Sequence, residues 1–307
     1  MKILVTGGLG TVGSPLADEL RRRGHEVWVA DRAHHHGLGG RYYFRCDIGY
    51  ASQVQEIFER QPFDCVYHLA AEFGRRNGED FNENLWQTNV VGTKNIIRAQ
   101  ERHRFRMIIT SSSEVYGDYK GLMTEDVWRK VMIRQLNDYA ITKHVNELQV
   151  LNSADRAGTE TVRIRLFNTY GPGEYYSEYR SAICQFIYRA LFGLPIQVYL
   201  NHHRQSTYID DAVRTLANIC ERFKPGEAYN ICGDEYHDIK CLTDMILSEL
   251  EMDDSLVEYI AVEEHNTLDK KGDSAKARRD LDHRYTVKLA EGIPLTIAWQ
   301  KKVYGVK

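Results

Sequence analysis

A tyrosine and a lysine four residues apart, in Tyr139-Ala140-Ile141-Thr142-Lys143, follow a serine-rich block, Ser111-Ser112-Ser113-Glu114-Val115-Tyr116-Gly117. On a helix that spacing puts the phenol and the ammonium on one face, within reach of each other. A free phenol titrates at about 10 and is a poor base at neutral pH. A lysine cation beside it favours the phenolate and lowers that value. Such a pair can remove a hydroxyl proton while a hydride leaves the same carbon. Alone, the motif also describes an ordinary tyrosine on a surface helix, and its weight comes from the rest of the chain.

The N-terminus supplies a partner for that chemistry. Lys2-Ile3-Leu4-Val5-Thr6 reads as a buried strand and runs straight into Gly7-Gly8-Leu9-Gly10-Thr11-Val12-Gly13. Ser14 to Arg23 has helical apolar spacing, and a second strand, Glu26-Val27-Trp28-Val29-Ala30, ends on Asp31. Strand, glycine turn, helix, strand and acid in that order make a dinucleotide site. Gly7, Gly10 and Gly13 let the backbone approach a pyrophosphate, and the helix N-terminus faces its charge. Asp31 can accept from both adenosine ribose hydroxyls and repels a 2′-phosphate, which favours NAD over NADP; Arg32 next to it keeps NADP open.

The elements needed to hold these residues are legible as an alternation. Ile3–Val5, Val27–Asp31, 42–45, Cys65–Leu69, Met107–Ser111 and Thr161–Leu166 are strand-like, with helical periodicity over Val54–Arg60, Asn84–Gln100 and Asp138–Arg156. This predicts an α/β fold, a Rossmann-type doubly wound parallel sheet, with ligands at the carboxyl ends of the strands. Past Gly171-Pro172-Gly173 the regularity lapses. We expect a cofactor domain over 1–167, a smaller C-terminal substrate-binding lobe over 168–307, and a return of 206–222 to the first domain.

At 307 residues the chain exceeds the usual single-core size. A net charge of −3 and the lack of a Lys/Arg run point away from nucleic acid. No apolar stretch of membrane-spanning length and no signal-peptide pattern are present, so no membrane partner is expected. The six scattered cysteines lack Cys-x-x-Cys spacing and read as reduced thiols of a cytoplasmic protein.

The ordered blocks resemble the extended short-chain dehydrogenase/reductase family, specifically its nucleotide-sugar epimerases and dehydratases. They are Thr6-Gly7-x-x-Gly10-x-x-Gly13, Asp47-Ile48, His68-Leu69-Ala70-Ala71-Glu72, Asn89-Val90-Val91-Gly92-Thr93, the Ser111–Gly117 block and Tyr139-x-x-x-Lys143. Arg165-Leu166-Phe167-Asn168-x-Tyr170-Gly171-Pro172, Arg204–Asp211 and Asp273–Arg279 complete the set. Thr11-Val12 and Gln205-Ser206 depart from the family's usual residues. The resemblance implies a nucleotide diphosphate sugar as substrate, NAD as cofactor and a homodimer built on the Asn84–Gln100 and Asp138–Arg156 helices. It assigns Gly7, Gly10, Thr11, Val12, Gly13, Asp31, Arg32, Asp47, Ile48, Leu69, Ala70, Ala71, Asn89, Tyr139 and Lys143 to the cofactor. Ser112, Glu114, Tyr139 and Lys143 become the catalytic set, and Ser112, Ser113, Asn168 and Arg204 substrate contacts.

The reaction this implies begins with oxidation at sugar C4. Glu114 bears on the fate of the resulting ketone, because dehydratases of the family place a C5 base directly before Val-Tyr-Gly. The expectation is a 4,6-dehydratase, with a 4-epimerase as the alternative and Ser113 as a departure from the dehydratase acid. A uronate decarboxylase would want an arginine near the Ser-x-Lys block; that place reads as Ala275 and counts against it. A 4-dehydrogenase releasing NADH and a non-catalytic NAD-binding regulator also stay open. No metal site is expected: His34-His35-His36 are consecutive and lack a completing ligand cluster. His202-His203 remain ambiguous. Arg75-Arg76 read as a surface pair that borders the sugar pocket in relatives.

Overall fold

The computed structural model describes residues 1–34, 42–261, 263 and 265–306; His35, His36 and the rest of that loop lie outside the described residues. Seven parallel strands form the central sheet in the order β11-β6-β5-β4-β1-β2-β3, where β11 is Ala228–Ile231 from the second half of the chain. Those from the first half are β1 (Lys2–Thr6), β2 (Glu26–Asp31), β3 (Tyr43–Arg45), β4 (Cys65–His68), β5 (Arg106–Ser112) and β6 (Thr161–Leu166). Ile3 and Val5 point into one core and Leu4 into the other, so β1 is buried on both faces. That is why its sequence is a continuous apolar run. Each of the three is fully buried and contributes roughly 1.5–3 kcal/mol relative to exposure.

The helices are α1 (Gly13–Arg22), α2 (Ala51–Arg60), α3 (Arg75–Asp80), α4 (Asn82–Trp86), α5 (Thr93–His103), α6 (Val127–Lys130) and α7 (Asp138–Ala157). Leu16, Ala17 and Leu20 of α1 cover one sheet face, while Ile57, Ile96 and Val150 of α2, α5 and α7 cover the other. The helix expected over 84–100 is divided by a π-helical turn at Gln87–Gly92. Helix α7 matches expectation to within a residue. Asn137 caps it by accepting from the Ala140 N–H at 2.9 Å, and Gly158 ends it in the left-handed region.

The second half contains β7 (Thr169–Tyr170), α8 (Ala182–Leu191), β8 (Ile196–Tyr199), β9 (His203–Gln205), β10 (Thr207–Tyr208), α9 (Ile209–Ile219), β11 (Ala228–Ile231) and α10 (Ile239–Glu249). Helix α9 and strand β11 join the main core, where Leu216 and Ile231 pack with α1 and β1. Helices α8, α10 and the final helix, Leu289–Tyr304, form a separate apolar cluster around Ile187, Ile246 and Ile293. Five cysteines are buried thiols and Cys241 is exposed. Among the described residues no helix is long and apolar enough to cross a membrane, and no His, Cys, Asp and Glu cluster could hold a metal ion.

Candidate active site

A cavity of about 740 Å³ opens where the carboxyl ends of the sheet strands meet the C-terminal cluster. Its cofactor side is backbone. Gly7 has φ +67°, and a side-chain carbon there would lie 2.7 Å from the Ala70 nitrogen. A carbon on Gly13 would fall 2.1 Å from the Gly7 carbonyl oxygen. Only glycine leaves this cradle open. Asp31 accepts from the Leu9 N–H and the Ala33 N–H, each at 3.0 Å, which fixes the carboxylate at the rim. Gly10, Thr11, Val12, Arg32, Asp47, Ile48, Leu69, Ala70 and Ala71 line the same side. The open glycine cradle, the fixed carboxylate and the helix N-terminus behind it fit a dinucleotide.

Asn89 does not join them. It is fully buried in the π-helical turn, where its side chain accepts from the Glu72 N–H at 2.9 Å and donates to the Glu72 carbonyl at 3.0 Å. It clamps the chain just after β4 and is not among the residues lining the cavity.

Across the cavity, Ser112 ends β5 and accepts from the Glu114 N–H at 3.2 Å. Tyr139 and Lys143 reach in from the first turns of α7. The Lys143 ammonium lies 5.8 Å from the Tyr139 ring centroid and donates to the Thr110 carbonyl at 3.0 Å. The expected lowering of the phenol is not what this arrangement gives. Burial pushes Tyr139 well above its ordinary value; a hydrogen bond with Ser112 opposes this and the Glu114 charge adds to it. Burial also brings Lys143 down to about 8, against the attraction of Glu147. Reach along the helix favours the phenolate, whereas desolvation at this buried position works against it.

Glu114 is the centre of a charge cluster that the sequence did not suggest. Its carboxylate pairs with the Lys270 ammonium, which is 3% exposed. Burial would raise Glu114, but Lys270, Arg204 and a hydrogen bond from Asn137 outweigh it and hold the carboxyl below its ordinary value. Arg204 is buried on β9 and donates to the His203 and Leu268 carbonyls at 2.9 and 2.7 Å. Beside it Glu263 pairs with Arg75, so Arg75 bridges the cavity rather than standing free on the surface.

Ser113, Asn168 and His202 also line the cavity; Asn168 is held by donating to the Gln205 carbonyl at 3.1 Å. Ala275, the position weighed against decarboxylation, begins a helix and is not part of the lining, whereas Lys270 five residues earlier is. Lys270 comes after Thr267-Leu268-Asp269 with no periodic or motif signal, and only its fold contacts reveal it.

Residues 3–232 match the model of the NAD dependent epimerase/dehydratase family. The chain is 30% identical to a UDP-N-acetyl-alpha-D-glucosaminuronate decarboxylase of Bacillus cytotoxicus, over 98% of each. A UDP-glucuronic acid 4-epimerase from Bacillus cereus, solved with UDP-glucuronic acid and NAD, superposes with a TM-score of 0.87 at 26% identity. The match covers 99% of this chain and all of that one. A dTDP-glucose 4,6-dehydratase from Streptomyces venezuelae with NAD bound gives 0.89 at 25% identity, covering 99% and 98%.

Proposed function

The chain belongs to the NAD-dependent epimerase/dehydratase family of nucleotide-sugar enzymes, and from that premise we propose that it oxidises C4 of a nucleotide-linked hexuronate and releases the C6 carboxyl as carbon dioxide. The observation that carries this reading is the convergence of Lys270 and Arg204 on Glu114. An ion-paired carboxylate held below its ordinary value is a weak base for a C5 proton. The same two cations give an anionic C6 group a place to sit. The uronate named for two of these relatives supports the substrate class.

When bound, oxidised NAD supplies the hydride acceptor and a positive charge. Gly7, Gly10, Gly13 and Asp31 hold it, and Lys143 orients its nicotinamide side. With the nicotinamide charge and the Lys143 ammonium offsetting its burial, Tyr139 as the phenolate would accept the C4 hydroxyl proton, relayed through its hydrogen bond with Ser112. The product, a β-keto acid, needs no base for its next step. Its C5–C6 bond breaks, carbon dioxide leaves, and the electron pair moves to the C4 oxygen as an enolate that Ser112 and Tyr139 stabilise by hydrogen bonding. A proton then adds at C5. Asn168, which lines the cavity, would hold the diphosphate.

A second reading, 4,6-dehydration, rests on Glu114 lying in the same cavity as Ser112 and Tyr139. There Glu114 takes the C5 proton and the C6 hydroxyl leaves as water. Incubating the protein with UDP-glucuronate, UDP-N-acetylglucosaminuronate, UDP-glucose and dTDP-glucose separates the readings. Carbon dioxide from a C6-labelled uronate is the expected result. Loss of water from a neutral hexose, or an unchanged mass with a new sugar spectrum, overturns it in favour of dehydratase or epimerase. We further propose a homodimer, supported by the exposed Trp86, Val91 and Leu148 on the α4–α5 segment and α7; sedimentation at working concentration tests it.

A further inference from the structure

Strands β2 and β4 flank β1 in the sheet, and the glycine turn leaves the end of β1 between them. Arg32 comes directly after β2, and Glu72 lies just beyond β4. Their side chains meet with Arg32 Nη1 2.6 Å from Glu72 Oε1, so the pair spans the end of β1 from one neighbour to the other. Both residues line the cavity beside Asp31.

The two partners are not equally fixed. Glu72 is 13% exposed in its side chain, its backbone is clamped on both sides by Asn89, and its second carboxylate oxygen accepts from the Asn77 amide at 3.3 Å. Arg32 is 62% exposed and is the movable member. On the outer side, Arg45 stands in register with Asp31, and a hollow of about 390 Å³ is lined by Arg32, Arg45, Asp47, Tyr50 and Gln53. Where an acid at the end of the second strand meets the adenosine ribose, a 2′-phosphate is tolerated only when an arginine is available to meet it.

We propose that Glu72 is a specificity-determining residue for the cofactor, holding Arg32 across the end of β1 so that its guanidinium is withheld from a 2′-phosphate. The chain then disfavours NADP twice: Asp31 repels the phosphate, and Glu72 removes the cation that would offset the repulsion. This concerns the cofactor and stands whichever nucleotide sugar is taken.

The test is competition for the purified protein between NAD and NADP in equal amounts, with the bound dinucleotides released and quantified by chromatography. Glu72→Gln keeps the size of the side chain and its amide can still meet Asn77. It should raise the bound NADP:NAD ratio about fivefold, the scale of one partly exposed ion pair. Adding Arg32→Ala should return the ratio to its starting value. An unchanged ratio in Glu72→Gln, or a gain that survives Arg32→Ala, overturns the proposal. So does loss of both dinucleotides from a Glu72→Gln protein with an unaltered melting temperature, which would make Glu72 a general groove residue.

Discussion

The cofactor side of the cavity consists of short contiguous stretches at the ends of β1, β2 and β4, while the opposite side consists of single charged side chains drawn from distant parts of the chain. On the first side the work is done by backbone, with Gly7 and Gly13 at positions where any side-chain carbon would collide with main-chain atoms. On the second, Glu114, Lys270, Arg204 and Glu263 are buried or half-buried charges that hold each other in place. A backbone cradle tolerates exchange of neighbouring side chains. A buried charge cluster does not, because removing one member strands the others without solvent. The two sides should therefore fail differently.

The sharpest break in that comparison lies at the boundary, at Tyr139. Tyr139→Phe should lower turnover by about 10²–10⁴-fold while nucleotide-sugar binding, measured by calorimetry, stays within a few-fold. Retained activity would mean the proton is taken elsewhere. Next in size is Lys270→Met. It leaves the Glu114 carboxylate buried without its partner and should cost on the order of 3 kcal/mol in urea unfolding. Its pH dependence carries the sign. In the native chain Glu114 is held below its ordinary value, so its pairing stabilises above that value and is lost as pH falls through the folded one. Without Lys270 the largest opposition to burial is gone and Glu114 rises, so the loss of stability toward acid should be weaker than in the native chain. A variant with the native pH trend would show that the cluster does not depend on Lys270.

Gly13→Ala probes the other side. The collision with the Gly7 carbonyl should cost about 1–3 kcal/mol and strip most bound NAD, read as the melting temperature and the dinucleotide carried per chain. Full retention of NAD would place the pyrophosphate away from this turn. The smallest expected effect is a pH limb from Lys143. With a value of about 8, the ammonium is lost as pH rises past that point. The rate of C4 oxidation should then fall by half near pH 8, and Lys143→Met should lack that limb. In the folding balance the same lowered value means the buried cation is unfavourable below about 8, and that penalty is relieved as pH climbs toward the lysine's unfolded value.

The sequence by itself determined the sheet, the glycine turn, Asp31 and the Tyr139–Lys143 face. These depend on periodicity, φ freedom and spacing within one element, which are local properties written in consecutive residues. It also placed Ser112 at the end of β5 and Glu114 just beyond it. It assigned Asn89 to the cofactor but could not show the π-helical turn that points the amide at Glu72. It looked to position 275 for a cation that the fold supplies at Lys270, and it took Arg75 for a surface charge. The pairings Glu114–Lys270, Arg75–Glu263 and Arg32–Glu72 join residues 156, 188 and 40 positions apart. Only chain closure brings them together, and only their burial and partners decide in which direction each carboxyl and phenol is shifted.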